Sequence, residues 1–177
     1  MSNFSRATAR RGAAALAVVA VLLGAGCSNA SPGVVAYVGD AEISQRQVDS
    51  AVAAITSTVE EGQTVSTENV INAMIQGELA AQIAQERKIA ITDSQRDTFL
   101  RATNLAPLLN VAAAKPVAYD VADQQIVSTK IGAEAYLAEA EKRKVTLNPR
   151  YGVLDPKQKT ILENQTGSLS QPAEQAP

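Results

Sequence analysis

The chain has 177 residues and a formal net charge of −2, and 46% of its residues are apolar while only 3% are aromatic. This length suits one domain with terminal extensions, whose core must be built from small side chains. The 16 basic and 18 acidic residues argue against the basic surface that a nucleic-acid partner needs.

The residue inventory also excludes several kinds of catalytic site. With no histidine and one cysteine, the chain lacks the usual general base, the Ser-His-Asp arrangement, most zinc sites and any intramolecular disulfide. No GxxxxGK[ST] phosphate loop is present, so no nucleotide is expected. We therefore predict that the protein is not an enzyme and that it binds no metal ion and no cofactor. An enzyme with carboxylate-only chemistry is the least favoured alternative, because the acidic pairs fall in a polar loop and a charged helix end.

The first 27 residues have the features of an export signal. Three arginines form a positive start, and the apolar run at 13–23 is too short to span a bilayer readily. Small residues then lead to Cys27. The whole segment resembles a bacterial lipoprotein signal, although Gly24 stands where leucine is usual. The resemblance implies cleavage before Cys27 and its lipidation by acyl chains, palmitate among them. The alternative is a plain secretory signal with a free thiol.

The next stretch predicts a strand, a tight turn, a short strand and a capped helix. Val34–Val38 alternates with period two, and Gly39–Asp40 supplies the turn because glycine accepts a positive φ. Residues 41–43 return as a second strand. Ser44 and Gln47 form a capping box, which begins a helix.

A second helix is predicted from Ser66 or Thr67 to about Arg87. It carries a broad apolar face, for which core packing is the preferred interpretation and a ligand pocket the alternative. The face includes Val70, Ile71, Met74, Ile75, Leu79 and Ile83. A second capping box, Thr92 with Gln95, begins a third helix.

The pattern of the remaining chain predicts interrupted short helices, then a long helix and a last strand. Prolines interrupt residues 105–116, and a helical pattern returns from about Asp120. That helix ends in a charged run, Lys142–Lys144, which we interpret as solvated. Glu139 and Arg143 within it have the spacing of an ion pair. Val145–Leu147 alternates like an edge strand, because the proline after it stops further pairing.

These motifs, in this order, resemble the extracytoplasmic chaperone-foldases of the SurA and PrsA type. Such chains open with a Val-rich strand, a Gly-Asp turn and a capped helix, and they continue with an apolar helix like that at 70–91. Actinobacterial lipoproteins of this kind close on a motif that is matched here by Asn148, Pro149, Arg150, Tyr151 and Gly152. This chain departs from the pattern at Lys88, where glycine or asparagine is usual. It also has no room for the parvulin isomerase domain, so no prolyl-isomerase activity is expected.

The resemblance implies a mainly α fold, a helical bundle with a small antiparallel β element formed by the N-terminal hairpin and the C-terminal strand. The expected organisation is a signal with its lipidation site at 1–27, a tether at 28–33, a SurA-N-like chaperone module at 34–153 and a mostly disordered tail at 154–177.

The implied function is ATP-independent, chaperone-like binding of unfolded or exported polypeptides by a protein held outside the cytoplasmic membrane through lipidated Cys27. The candidate polypeptide-binding surface comprises Ile71, Met74, Ile75 and Leu79. The alternative is an adaptor lipoprotein that docks on one cell-wall or membrane assembly. The expected partners are therefore polypeptides and, through the lipid, the membrane.

Overall fold

The computed structural model describes residues 33–59 and 64–162. The predicted signal with Cys27, the tether up to residue 32 and the tail after residue 162 lie outside the described residues. The strands are β1 (Val34–Val38), β2 (Ala41–Ser44) and β3 (Val145–Leu147). The α-helices are α1 (Gln45–Thr56), α2 (Thr67–Glu86), α3 (Asp93–Arg101), α4 (Lys115–Ile131) and α5 (Ala133–Glu141), with 3-10 turns at Ala106–Asn110 and Pro149–Tyr151.

The three strands form one antiparallel sheet in the order β2-β1-β3. In its register Ala36 lies opposite Leu147 and Val38 lies opposite Val145. The hairpin between β1 and β2 turns at Gly39, whose φ is +58° and whose N–H donates to the Lys144 carbonyl at 2.8 Å. The predicted fold class and the predicted meeting of the two ends of the module are both confirmed.

The helices begin where their side chains can satisfy the first backbone N–H groups. Both predicted capping boxes form, at Ser44 with Gln47 and at Thr92 with Gln95. Ser66 caps α2 by accepting from the Asn69 N–H at 3.2 Å. These caps are local in sequence, which is why the starts of α1, α2 and α3 are predictable.

Helix α2 lies at the centre of the core, between the sheet and α4. Its residues Ile71, Ile75 and Leu79 are fully buried among side chains of β1, α4 and α5. The prediction that they form a polypeptide-binding surface is therefore wrong, because no incoming chain can reach them in the folded protein. Met74, the fourth residue of that set, is half-buried and stays accessible.

Helix α2 and helix α4 approach each other closely at Gly77. A Cβ on Gly77 would overlap the Cβ of Asp120 and stand 2.5 Å from its Cγ. Glycine is therefore required at this crossing, because any larger residue would push the two helices apart.

Helix α4 starts five residues before the expected position and ends sooner. Pro116 lies in its first turn, where a missing N–H breaks no helical hydrogen bond. Gly132, at a φ of +89°, then separates α4 from α5. The prediction of one long helix from Asp120 is corrected to two helices with a glycine between them.

The motif after β3 ties the chain end to the sheet. The side-chain amide of Asn148 is buried and donates to the Val34 carbonyl at 3.0 Å, while its oxygen accepts from the Arg150 N–H at 3.2 Å. Pro149–Tyr151 forms a 3-10 turn, and Gly152 leaves it at a φ of +120°. This motif thus has a structural role.

The folded region extends beyond the boundary expected at residue 153. Leu154 pairs with Ile161 through a β-bridge, and Ile161 is buried in the core. The Ile161 N–H donates to Asn72 at 2.7 Å, and the Gln76 side chain donates to the Gln158 carbonyl at 2.9 Å. Polar side chains on α2 therefore hold a segment whose own sequence resembles a loose tail.

In the charged run after α5, Lys142 and Lys144 are exposed as predicted, but Arg143 is not. The Arg143 side chain is only 9% exposed and lies 2.6 Å from a carboxylate oxygen of Glu86. It also contacts Glu139, as the i,i+4 spacing predicts, at 3.7 Å. Arg143 thus joins α5 to the end of α2 instead of facing solvent.

Candidate functional site

A cleft of about 530 Å³ opens between the β2–α1 unit and the pair α2–α4. Its apolar wall comes mainly from Ile43, Met74 and Val117, and its polar groups include Gln47, Glu78 and Asp120. Cavities of this size, with apolar walls and few polar groups, are the usual form of a ligand site. We refer to this cavity as the cleft.

The cleft follows from helical spacing on three elements. Met74 and Glu78 are four residues apart on α2, and Val117 and Asp120 are three apart on α4, so each pair lies on one helix face. The capping box at Ser44 sets the direction in which α1 leaves β2. The side of α1 that carries Gln47 and Ser50 therefore forms the opposing wall.

Asp120 is the least usual group in the cleft. The pKa of its carboxyl is raised to about 8, chiefly by burial and then by the neighbouring charges of Asp123 and Glu78, while the charge of Arg96 opposes the shift. Within the described ranges, no hydrogen bond or ion pair reaches this carboxyl. Strongly shifted acids in clefts are frequent at functional sites, and Asp120 is therefore the residue to test first.

Replacing Asp120 with asparagine is expected to stabilise the protein increasingly as the pH rises. The unfolded carboxyl ionises near 3.8 and the folded one near 8. Between these values unfolding releases a proton, so the stability of the wild-type protein falls with rising pH. Asparagine has no such proton, and the advantage of the variant should grow by about 1.4 kcal/mol per pH unit, from near zero at low pH to roughly 5 kcal/mol at pH 8.

Urea unfolding of both proteins at several pH values measures this difference. Asp49→Asn, at an exposed position of α1, controls for the loss of a surface charge. If the free energies of unfolding of Asp120→Asn and the wild-type protein differ by the same amount at every pH, the pKa of Asp120 is not raised.

An ion-pair cluster holds α3 against α4 beside the cleft. Arg96 donates to both carboxylate oxygens of Asp123, at 2.6 and 2.9 Å, and to Asp93 at 2.7 Å. The hydrogen bond to Asp123 raises the pKa of Arg96. Tyr119 lies under the Arg96 guanidinium, 5.2 Å from the ring centroid, and donates to Asp97 at 2.8 Å. Every charge in this cluster has a partner, which indicates a structural role.

A smaller apolar groove lies beside the same N-terminal part of α4 and shares Val117 with the cleft. Its volume is about 170 Å³, and its walls include Ile55, Val70, Leu108 and Val117. It has almost no polar lining, so it offers apolar contact without a group that could orient a ligand. The cleft is the better candidate for a specific site.

Of the four residues predicted for a binding surface, Met74 alone lines the cleft. The sequence reasoning missed Glu78 and Asp120 as site residues. One signal was present: an isolated glycine inside a helical pattern, Gly77, indicates a close approach by another element. The sequence does not say that Asp120 is the group that approaches, because that depends on how the helices cross.

The described residues contain no group of three or more side chains suited to hold a metal ion. No helix in those same ranges is long and apolar enough to cross a membrane. A scan against protein-family models and searches of curated proteins and of solved structures found no match to this chain.

Proposed function

We propose that this protein is an ATP-independent, chaperone-like protein that binds extended segments of unfolded or exported polypeptides in the cleft. The observation that carries the proposal is the position of the cleft beside an edge strand. Ala41, Glu42 and Ile43 of β2 line the cleft, and β2 is the outer strand of the sheet.

An edge strand can accept an extended chain as an additional strand. Among the described strands, β2 pairs only with β1, so its other edge is open to a further partner. Backbone hydrogen bonds made in this way do not depend on the side chains of the incoming peptide. Such binding suits a protein that must accept many different polypeptides.

The apolar wall of the cleft supports the same function. Met74 is flexible and polarisable, so it adapts to side chains of different shape. Ile43 and Val117 provide apolar surface around it. Adaptable contacts of this kind give broad binding of low specificity.

In this proposal the N-terminal segment supplies the location. Lipid on Cys27 would hold the protein at the outer side of the cytoplasmic membrane, since each buried methylene contributes roughly 0.8 kcal/mol and two or more acyl chains anchor stably. The short polar tether at 28–33 would keep the cleft near polypeptides that emerge from export.

Suppression of aggregation by the mature chain tests the proposal. We expect equimolar protein to keep a chemically denatured client soluble. Ser50→Trp should remove most of this effect, because Ser50 is exposed on the α1 wall and a tryptophan there fills the cleft. Ala53→Trp, exposed elsewhere on the same helix, is the matched control and should retain the effect.

A wild-type protein that leaves client aggregation unchanged would overturn the proposed function, and equal loss in both tryptophan variants would show that binding lies outside the cleft. Crosslinking from position 50 in intact cells distinguishes the adaptor alternative. Many crosslinked polypeptides support the chaperone-like role, whereas one stoichiometric partner contradicts it and favours an adaptor.

A further inference from the structure

We propose that the cleft selects polypeptide segments that carry a lysine or arginine, whose cationic head is bound between Asp120 and Glu78. This inference rests on the proposed function, because it assumes that an extended polypeptide occupies the cleft. It adds the chemical class of segment that the cleft prefers.

The position of Asp120 is rigidly set. Its Cβ and carboxyl group pack against the backbone of α2 at Gly77, where no side chain intervenes. Glu78 is the next residue on α2 and lines the same cleft. Its carboxylate accepts one hydrogen bond, from Gln82 at 3.0 Å, and carboxylate oxygens have further lone pairs for a ligand.

The charge of the cleft identifies the occupant. Three carboxyl groups line it, those of Glu42, Glu78 and Asp120, against one cation, Arg46. In the described part of the chain no ion pair joins Arg46 to any of these acids. A bound cation would supply a positive partner for the carboxyl groups of Asp120 and Glu78. An acidic side chain would instead be repelled by their negative charge.

The shape of the cleft suits the stem of the same side chains. Lysine and arginine carry an apolar chain of methylenes below the charged head. Met74, Pro116 and Val117 form apolar wall near the two acids, so the stem can be buried while the head reaches the carboxyl groups. Pairing along the β2 edge would present alternate side chains of a bound segment to the cleft.

Three labelled extended peptides that differ at one central position test the inference. The position carries lysine, norleucine or glutamate between apolar neighbours, and fluorescence anisotropy with the mature chain gives each dissociation constant. We expect the lysine peptide to bind about tenfold more tightly than the glutamate peptide, and measurably more tightly than the norleucine peptide. The preference should disappear in Asp120→Asn and weaken in Glu78→Gln.

The pH dependence of peptide binding distinguishes a binding role of Asp120 from a purely structural one, because only a binding role links the affinity to the ionisation of its carboxyl. Since burial and the neighbouring charges together raise the pKa of Asp120 to about 8, the affinity for the lysine peptide should rise about tenfold between pH 7 and pH 9 as the carboxyl ionises. Asp120→Asn should remove this rise. The charged groups that face Asp120 or share the cleft with it are Glu78 on α2, Asp123 on α4, Arg96 on α3, Arg46 on α1 and Glu42 on β2.

The outcomes separate this inference from the proposed function. Equal affinity for the three peptides, with Ser50→Trp still abolishing binding, overturns the selectivity and leaves the proposed function in place. Absence of binding for all three overturns both. If butylamine competes as strongly as the lysine peptide, the cleft is a site for small amines and the polypeptide assignment is wrong.

Discussion

Replacing Gly77 with alanine is expected to lower the free energy of unfolding by about 3 kcal/mol. The new Cβ would overlap the Cβ of Asp120, and both atoms belong to helices that are packed on their other sides. Neither atom can be moved by a rotamer change, so a backbone must shift. The intrinsic preference of helices for alanine, about 1 kcal/mol, acts in the opposite direction and is too small to compensate. Urea unfolding measures the loss.

A double substitution distinguishes this overlap from other effects at position 77. Asp120→Gly removes the opposing Cβ. In the Asp120→Gly background, Gly77→Ala should therefore cost much less stability than it costs in the wild-type protein. Asp120→Ala keeps the Cβ and should give no such recovery. A Gly77→Ala protein as stable as the wild type would show that the helices are not in this close contact.

Replacing Arg96 with methionine is expected to cost about 3 kcal/mol of stability at neutral pH. The Asp123 side chain is only 12% exposed and accepts two hydrogen bonds from Arg96. Methionine keeps much of the apolar stem but leaves that carboxylate buried without its partner. The contact between the guanidinium and the ring of Tyr119 is lost as well. Chemical denaturation again provides the measurement.

Two further variants serve as controls for Arg96. Arg101→Met, on the same helix, removes an exposed pair with Asp97 at 3.3 Å and should change stability by no more than about 0.5 kcal/mol. Arg96→Met with Asp123→Leu removes both charges and should recover most of the loss, since no buried charge is left unpaired. Equal losses for Arg96→Met and Arg101→Met would mean that the Arg96–Asp123 pair is effectively exposed.

Gly77→Ala and Arg96→Met both test how α4 is held, the first at its contact with α2 and the second at its contact with α3. Gly77 lets α2 and α4 approach closely, and the pair of Arg96 with Asp123 holds α3 against α4. Asp120 is the α4 residue at the first of these contacts, and it lies three residues before Asp123 at the second. The framework thus keeps a weakly solvated carboxyl at one place in the cleft, which a selective binding site requires.

Local signals in the sequence predict much of the fold correctly. The hairpin, both capping boxes and the edge strand β3 depend on residues close together in the chain. The break expected near Pro116 is instead the first turn of α4, because proline is as compatible with a helix start as with a loop. The segment from Leu154 to Leu162 looks disordered by composition, yet α2 holds it, because Asn72 accepts a hydrogen bond from the Ile161 N–H and Gln76 donates one to the Gln158 carbonyl.

The candidate site was less predictable than the fold. The apolar stripe of α2 identifies a buried face, but Ile71, Ile75 and Leu79 lie under the sheet and neighbouring helices while Met74 reaches the cleft. Periodicity shows which side chains share a helix face, and it does not show which part of that face stays uncovered. That depends on the neighbours packed against it.

The sequence by itself determined the mainly helical composition, the order of the elements from β1 to α3 and the absence of histidine chemistry, because propensity, caps and residue inventory are local properties. Only the tertiary structure decided that Asp120 lies against Gly77, that Arg143 is covered and that β2 borders a cleft. These features arise from contacts between residues far apart in the chain. Their energies depend on burial and on neighbouring charge, which exist only after the helices have packed.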